Sequence, residues 1–344
     1  MSNVLAGRGR DPRAPEHEGP WPLAEPFRIG GLTLANRVVQ APLAGIANWA
    51  FRSQSTRHGA GLTVSEMVAS FGVHHGNRRT VGMLTRAPAE GPMGFQIFGT
   101  DPAVMAEAAR RAEEAGADLV DVNMGCPVPK ICKTGAGAAL LADLDRAAAI
   151  VGAMREAVRI PVTVKMRRGL TPATSNPVEI ARRMEAAGAA ALTVHPRAAA
   201  DEYGGTADHR ITAQVVEAVE IPVIASGDIA GPADALRVIE ETGCEAVAVG
   251  RAALGNPWVF RALATGRPGA APPLGEVVAE VRRFAADAQA ALGDRAGAYM
   301  RKFYPWYLAG RHLPAGEMEA LVTAPTLEDA LARLDRLAAQ DLAA

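Results

Sequence analysis

Cysteine is scarce in this chain: Cys126, Cys132 and Cys244 are the only three in 344 residues. An odd, sparse count excludes a disulfide framework and predicts a reducing compartment, the cytoplasm. Cys126 and Cys132 stand too far apart for a CxxC pair, and no histidine lies near them at zinc-ligand spacing, so no metal site is expected. Long apolar runs are missing too. No stretch of about 18 uncharged apolar residues occurs, so no membrane span is expected. The first 20 residues are polar and lack the apolar centre of a signal peptide, so residues 1–21 read as a loose tail. There is also no surplus of positive charge. The formal net charge is −1, so any nucleic-acid face must come from local clustering and its footprint is expected to be modest.

What the chain does have is alanine, glycine and a repeated grammar: a short β-branched run, a loop, an Ala-rich helix, then Gly. Asp101 is a plausible N-cap for a helix from Pro102 to Ala115, stopped at Gly116. Helices over 178–187 and 233–242 end in the same way at Gly188 and Gly243. The apolar runs at 38–43, 62–67, 94–98, 119–123, 162–166, 191–195, 223–226 and 246–250 make about eight strands. The expected fold is therefore α/β, a (β/α)8 TIM barrel over residues 22–268, with a doubly wound sheet as the rival. Phe27 to Leu34 reads as a hairpin turning at Gly30-Gly31, placed to plug the barrel floor. A Pro/Gly-rich linker, 266–275, leads to a small helical domain, 269–344. Its helices are expected at 276–292, 295–309, near Met318 and at 327–339, the last started by a Thr326/Asp329 capping box.

In a barrel the loops after the strands carry the chemistry. In chain order those ends present Pro42, Leu43 and Ala44; Gln96; Asn123 and Cys126; Lys165; His195; Ser226, Gly227 and Asp228; then Gly250 and Arg251. The last two groups follow the seventh and eighth strands, where barrels commonly hold phosphate. Each glycine alone suits a tight turn; the two pairs with Arg251 suit an anion. Lys165 at a strand end needs an anion to offset its desolvation, while Arg167 and Arg168 are expected to turn outward. Gln96 can donate and accept at a polar edge. His195 reads either as a satisfied core residue or as a ligand contact. A free cysteine is more often inert core. Cys126, however, sits in a Gly-Cys-Pro turn at the mouth, and a thiol of ordinary pKa, about 8.5, is protonated at neutral pH and can act as an acid. Cys132 and Cys244 lack that setting and read as structural.

These motifs, in this order, resemble the tRNA-dihydrouridine synthase family, in character its bacterial B-type group. The matching stretches are Ala41 to Gly45 through Phe51-Arg52; Asp121 to Pro127 with Lys130 and Gly137 to Leu140; Thr163 to Arg167; Thr193 to His195; Tyr203 to Asp208; and Gly250-Arg251 through Gly255 to Trp258. The resemblance implies FMN as cofactor, NADPH as reductant and uridine in tRNA as substrate. It implies hydride transfer to uracil C6 and protonation of C5 by Cys126. Pro42, Leu43, Ala44, Gln96, Lys165, His195, Ser226, Gly227, Asp228, Gly250 and Arg251 match flavin-binding positions, and Asn123 and Arg197 fall at the substrate mouth. Ser226 stands where many members have Asn, and Pro196 to Asp201 departs from the usual Gly-Arg-Thr run, which bears on the grip on substrate. The helical domain would hold tRNA through Arg282, Arg283, Arg295, Arg301 and Lys302. Of these, Arg301 and Lys302 are the named contacts, while Tyr304, Trp306 and Tyr307 are read as core. Arg78 and Arg79 could add phosphate contacts. A monomer is expected. The alternatives are another FMN barrel acting on a small molecule, such as a dihydroorotate dehydrogenase, and an RNA-binding homologue with impaired catalysis.

Overall fold

Eight parallel strands close on themselves in the computed structural model, which describes residue 17, residues 19–88 and residues 90–343. Most of the expected tail lies outside the described residues. A hairpin comes first, β1 (Phe27–Ile29) and β2 (Leu32–Leu34), paired antiparallel with Gly30 at φ 55° making the turn. The barrel follows as β3 (Val38–Gln40), β4 (Leu62–Val64), β6 (Met93–Phe98), β7 (Leu119–Met124), β8 (Val162–Arg167), β9 (Leu192–His195), β10 (Val223–Ser226) and β11 (Ala246–Val249), with a short extra strand β5 (Val68–Ala69) beside β6. Pairing of β3 with β11, and of β4 with β6, closes the ring.

The hairpin caps the N-terminal end. Phe27, Ile29 and Leu34 pack in one buried cluster with Leu62, Leu119, Ala191, Ile224 and Ala246 from the barrel interior. The interior above them is filled, leaving a cavity of about 10 Å³, room for one water at most. Nothing the size of a cofactor fits inside that cavity.

The helices between strands form as their caps dictate. Asp101 accepts from the N–H groups of Ala103 and Val104 to start Pro102–Glu114. Gly243, at φ 69°, ends Pro232–Thr242.

Beyond the barrel lie Leu274–Leu292, Ala296–Met300, Tyr304–Tyr307, Glu317–Val322 and Leu327–Ala343. The single helix expected over 295–309 is broken in two. Pro305 has no N–H to continue an α-helical ladder, and the backbone turns at 301–303 before restarting. Thr326 and Asp329 form the expected reciprocal cap. Phe284, Tyr299, Phe303, Tyr304 and Tyr307 share one buried core with Val38, Phe51, Val249 and Phe260 of the barrel. Beneath that core, Gln54 donates to Glu280 and Tyr307, and Arg57 pairs with Asp287 at 2.7 Å. The helices are thus docked on the barrel flank through an apolar core with a polar seam.

Candidate active site

Strand alternation assembles the site. Along a parallel sheet every second residue faces the interior, and the observed register aligns Gln96 with Asp121 and Thr163, then Asn123 with Lys165 and Thr193, then Arg167 with His195. Successive inward layers therefore become more polar towards the mouth. Arg167 belongs to this face. It is 3% exposed, donating from Nε to Gly125 O at 2.9 Å and from Nη1 to Ala198 O at 2.8 Å, rather than turning outward. The reason is that β8 continues to 167, which keeps 163, 165 and 167 on one side.

Cys126 follows β7 and is half-buried. Its backbone N–H donates to Asn123 Oδ1 at 3.0 Å, as does that of Gly125 at 3.2 Å. Its carbonyl accepts from Ala138 N at 3.0 Å and from the Cys132 thiol at 3.3 Å. The turn is thereby held at both ends, with Arg167 gripping Gly125 between them. Burial pushes the Cys126 thiol pKa up, against the pull of Arg167 and Lys165, so the group carries its proton at neutral pH. Cys132 serves the loop backbone, and Cys244 is buried in the core.

Lys165 is half-buried at the mouth. Burial, then the neighbouring Arg167, lowers its pKa to about 8, and among the described residues it forms no ion pair within 4 Å. An ammonium in that position is a site in need of an anion. Burial, with Lys165 and three arginines around it, takes His195 down to about 2, leaving the ring neutral. Its Nε2 accepts from Arg197 Nη1 at 3.2 Å, so the proton resides on Nδ1.

The later loops meet at Asp228. Its carboxylate receives Arg197 at 2.7 Å, Arg251 at 3.2 Å and the N–H of Ala207 at 2.8 Å. Burial opposes ionisation there, but these donors hold its pKa below the usual range. Gly227 has φ 120°, and a Cβ there would lie 2.9 Å from the His195 ring, so only glycine allows the two loops to approach. Ser226 ends β10 as a buried residue. Gly250 faces Leu43, and Arg251 remains a third exposed with its guanidinium 5.0 Å from the exposed Tyr203 ring. Pro42 lines the top of the barrel interior, and the Leu43 carbonyl closes the loop by accepting from Ile46 and Ala47. Ala44 lies in the same loop, beside Gly45.

Arg197 is only 3% exposed, and four of its five N–H donors go to His195, Gly204 O, Gly205 O and Asp228, so it clamps these loops together. Asn123 likewise spends its oxygen on the Cys126 turn and its amide N–H on Gln96. In the helical region, Arg301 donates to Ala324 O at 2.8 Å and Lys302 to Gly45 O at 3.1 Å. Arg282 is paired with Asp335. Asp121, Thr163 and Arg167 had no assigned role from sequence. The period-two spacing 121/123 and 163/165/167 was the available signal.

A model of the dihydrouridine synthase (Dus) family matches residues 39–342. The chain is 44% identical over 287 residues to tRNA-dihydrouridine synthase B of Pseudomonas aeruginosa, covering 82% of this chain and 86% of that one. It is 40% identical to the Salmonella typhimurium protein of the same name, covering 91% and 98%. A probable tRNA-dihydrouridine synthase of Mycobacterium tuberculosis is also 40% identical, covering 90% and 84%. Among solved structures, histamine dehydrogenase from Rhizobium sp. 4-9 superposes with TM-score 0.58 at 15% identity, covering 76% of this chain and 51% of that one. A morphinone reductase variant gives 0.54 at 16%, covering 70% and 91%. Likeness at that level of identity concerns the barrel fold.

Proposed function

The chain belongs to the dihydrouridine synthase family, and from that premise we propose that it is a tRNA-dihydrouridine synthase: a flavoenzyme that binds FMN, draws electrons from NADPH and reduces the C5–C6 bond of uridine in tRNA, with Cys126 as the acid. The observation that carries the reading is the Cys126 thiol, kept protonated by burial on a turn pinned by Asn123, Ala138 and Arg167.

The residues at the mouth fit FMN. Lys165 offers a partly buried ammonium with no salt-bridge partner within 4 Å among the described residues, and Arg251 keeps its guanidinium a third exposed. Gly227, Gly250 and Arg251 would take the phosphate, with Asp228 aiming Arg251. Pro42, Leu43, Ala44 and Gln96 would border the ring system, Lys165 its pyrimidine edge, and His195 would present a neutral ring towards flavin and base. When bound and reduced, the flavin supplies the hydride.

The protein supplies position and a proton. Cys126 donates from Sγ to uracil C5 as the carbanionic charge develops there, and its thiolate recovers a proton from solvent. Burial raises the thiol pKa, so the neutral thiol is the resting form from which the proton is given. Arg301 and Lys302, with Arg78 and Arg79 in the short helix Arg78–Val81 that follows β5, would meet tRNA phosphates. The helices after residue 268 form the tRNA-binding unit, and the cytoplasm is the working compartment.

The direct test is to purify the protein, record its visible spectrum, and map dihydrouridine in tRNA from a strain lacking the gene and any paralogue. A yellow flavin spectrum and loss of dihydrouridine at a defined position are expected. Colourless protein or unchanged dihydrouridine at every position contradicts the reading.

A further inference from the structure

Asp121 is 4% exposed, lies two residues before Asn123 on the inward face of β7, and has no part in the chemistry described above. Its Oδ1 accepts from the Thr163 hydroxyl at 2.7 Å and its Oδ2 from Gln96 Nε2 at 2.7 Å. Gln96 Oε1 in turn accepts from Asn123 Nδ2 at 2.7 Å, and Asn123 Oδ1 accepts the backbone N–H groups of Gly125 and Cys126. We propose that Asp121 is a positioning residue whose carboxylate sets the direction of a hydrogen-bond chain running through Gln96 and Asn123 to the Cys126 turn.

The direction of this chain follows from its ends. Backbone N–H groups can only donate, so Asn123 must turn its oxygen to Gly125 and Cys126 and its amide N–H to Gln96. Gln96 must then turn its oxygen to Asn123 and its amide N–H to residue 121. Only a group that accepts at that atom completes the sequence, and a carboxylate oxygen is such an acceptor. Lys165, on the neighbouring strand, supplies compensating positive charge against the burial that raises the Asp121 pKa. An asparagine at 121 can still accept from Gln96, but it gives up the charge that strengthens the bonds from Gln96 and Thr163, so it holds the chain less firmly and loosens the turn. Asp121 accepts at both oxygens, and that pins Gln96 in the one orientation the chain needs.

The inference rests on Cys126 being the acid, yet its test needs no RNA. Site-resolved alkylation of Cys126 by iodoacetamide, read by mass spectrometry on FMN-loaded protein, reports how firmly the turn is held. Asp121→Asn should raise the Cys126 labelling rate about fivefold, the factor expected from weakening one hydrogen bond of ordinary net strength. In an Asn123→Ala background, where the chain is already cut, Asp121→Asn should change labelling no further. Gln96→Met, which cuts the chain with Asp121 intact, should reproduce the rise and serves if Asp121→Asn does not fold. Unchanged labelling in Asp121→Asn, or an equal rise in the Asn123→Ala background, would overturn the proposal. If labelling behaves as expected but Cys126→Ala still reduces uridine, the positioning role stands and the acid assignment alone falls.

Discussion

Lys302 donates to the carbonyl of Gly45 at 3.1 Å, joining the turn at 301–303 to the loop that follows the first barrel strand. Its ammonium also lies 5.3 Å from the Tyr299 ring, and Tyr299 donates to Ile46 O at 2.6 Å in the same loop. Two contacts thus tie the proposed tRNA-binding unit to the edge of the proposed flavin site. Lys302→Met should lower the salt dependence of tRNA binding by about one unit of slope, the signature of one lost phosphate contact. Tyr299→Phe should leave that slope unchanged and cost about 1 kcal/mol of stability. Salt titrations of binding and urea unfolding separate the two. An unchanged slope in Lys302→Met would make Lys302 a strut alone.

Lys165 sets a pH limit on flavin binding. With its pKa lowered to about 8, the cofactor-free protein loses this positive charge as pH rises through that value. FMN affinity, followed by fluorescence quenching, should fall between pH 7.5 and 9.5 in the wild type. In Lys165→Met it should be weaker throughout and nearly flat. Equal slopes in both proteins would mean that another group titrates.

His195 bears on acid stability. Its folded pKa is depressed to about 2 from 6.5, so below 6.5 the unfolded chain takes up a proton that the folded one refuses. Stability therefore falls with decreasing pH from 6.5 downward, by about 1.4 kcal/mol per pH unit from this group once the unfolded histidine is charged. His195→Gln should flatten the acid limb of the urea-unfolding profile between pH 6.5 and 5. A profile as steep as the wild type's would show that His195 is not the source.

Gly227 separates His195 from the turn after β10. Gly227→Ala would place a methyl group 2.9 Å from His195 Cδ2 on a backbone with φ 120°. A loss of about 1–3 kcal/mol in stability is expected from the strained backbone, together with weaker FMN binding. Calorimetry and flavin titration check both. Full stability with normal FMN binding would contradict the close approach as a requirement.

Strands and inter-strand helices were legible because their signals are local: apolar runs between glycine stops, and caps such as Asp101 and Thr326. The residues at the strand ends could also be named, since in a barrel they must share the mouth. Their partners could not. Arg197 has the composition of a substrate contact, and only the folded positions of Gly204, Gly205 and Asp228 show that most of its donors also bind within the protein. Arg167 was misplaced because one additional residue of strand carries a side chain to the other face. The break at 301–303 was hidden by a helical pattern that outweighed Pro305, and the Lys302–Gly45 contact spans 257 residues, beyond any local signal.

The central claim concerns one proton. In anaerobic stopped-flow measurements, Cys126→Ala loaded with FMN should be reduced by NADPH at the wild-type rate. On mixing with tRNA lacking dihydrouridine, its reduced flavin should then fail to reoxidise, and no dihydrouridine should form. Reoxidation and dihydrouridine formation at the wild-type rate in Cys126→Ala would contradict the account.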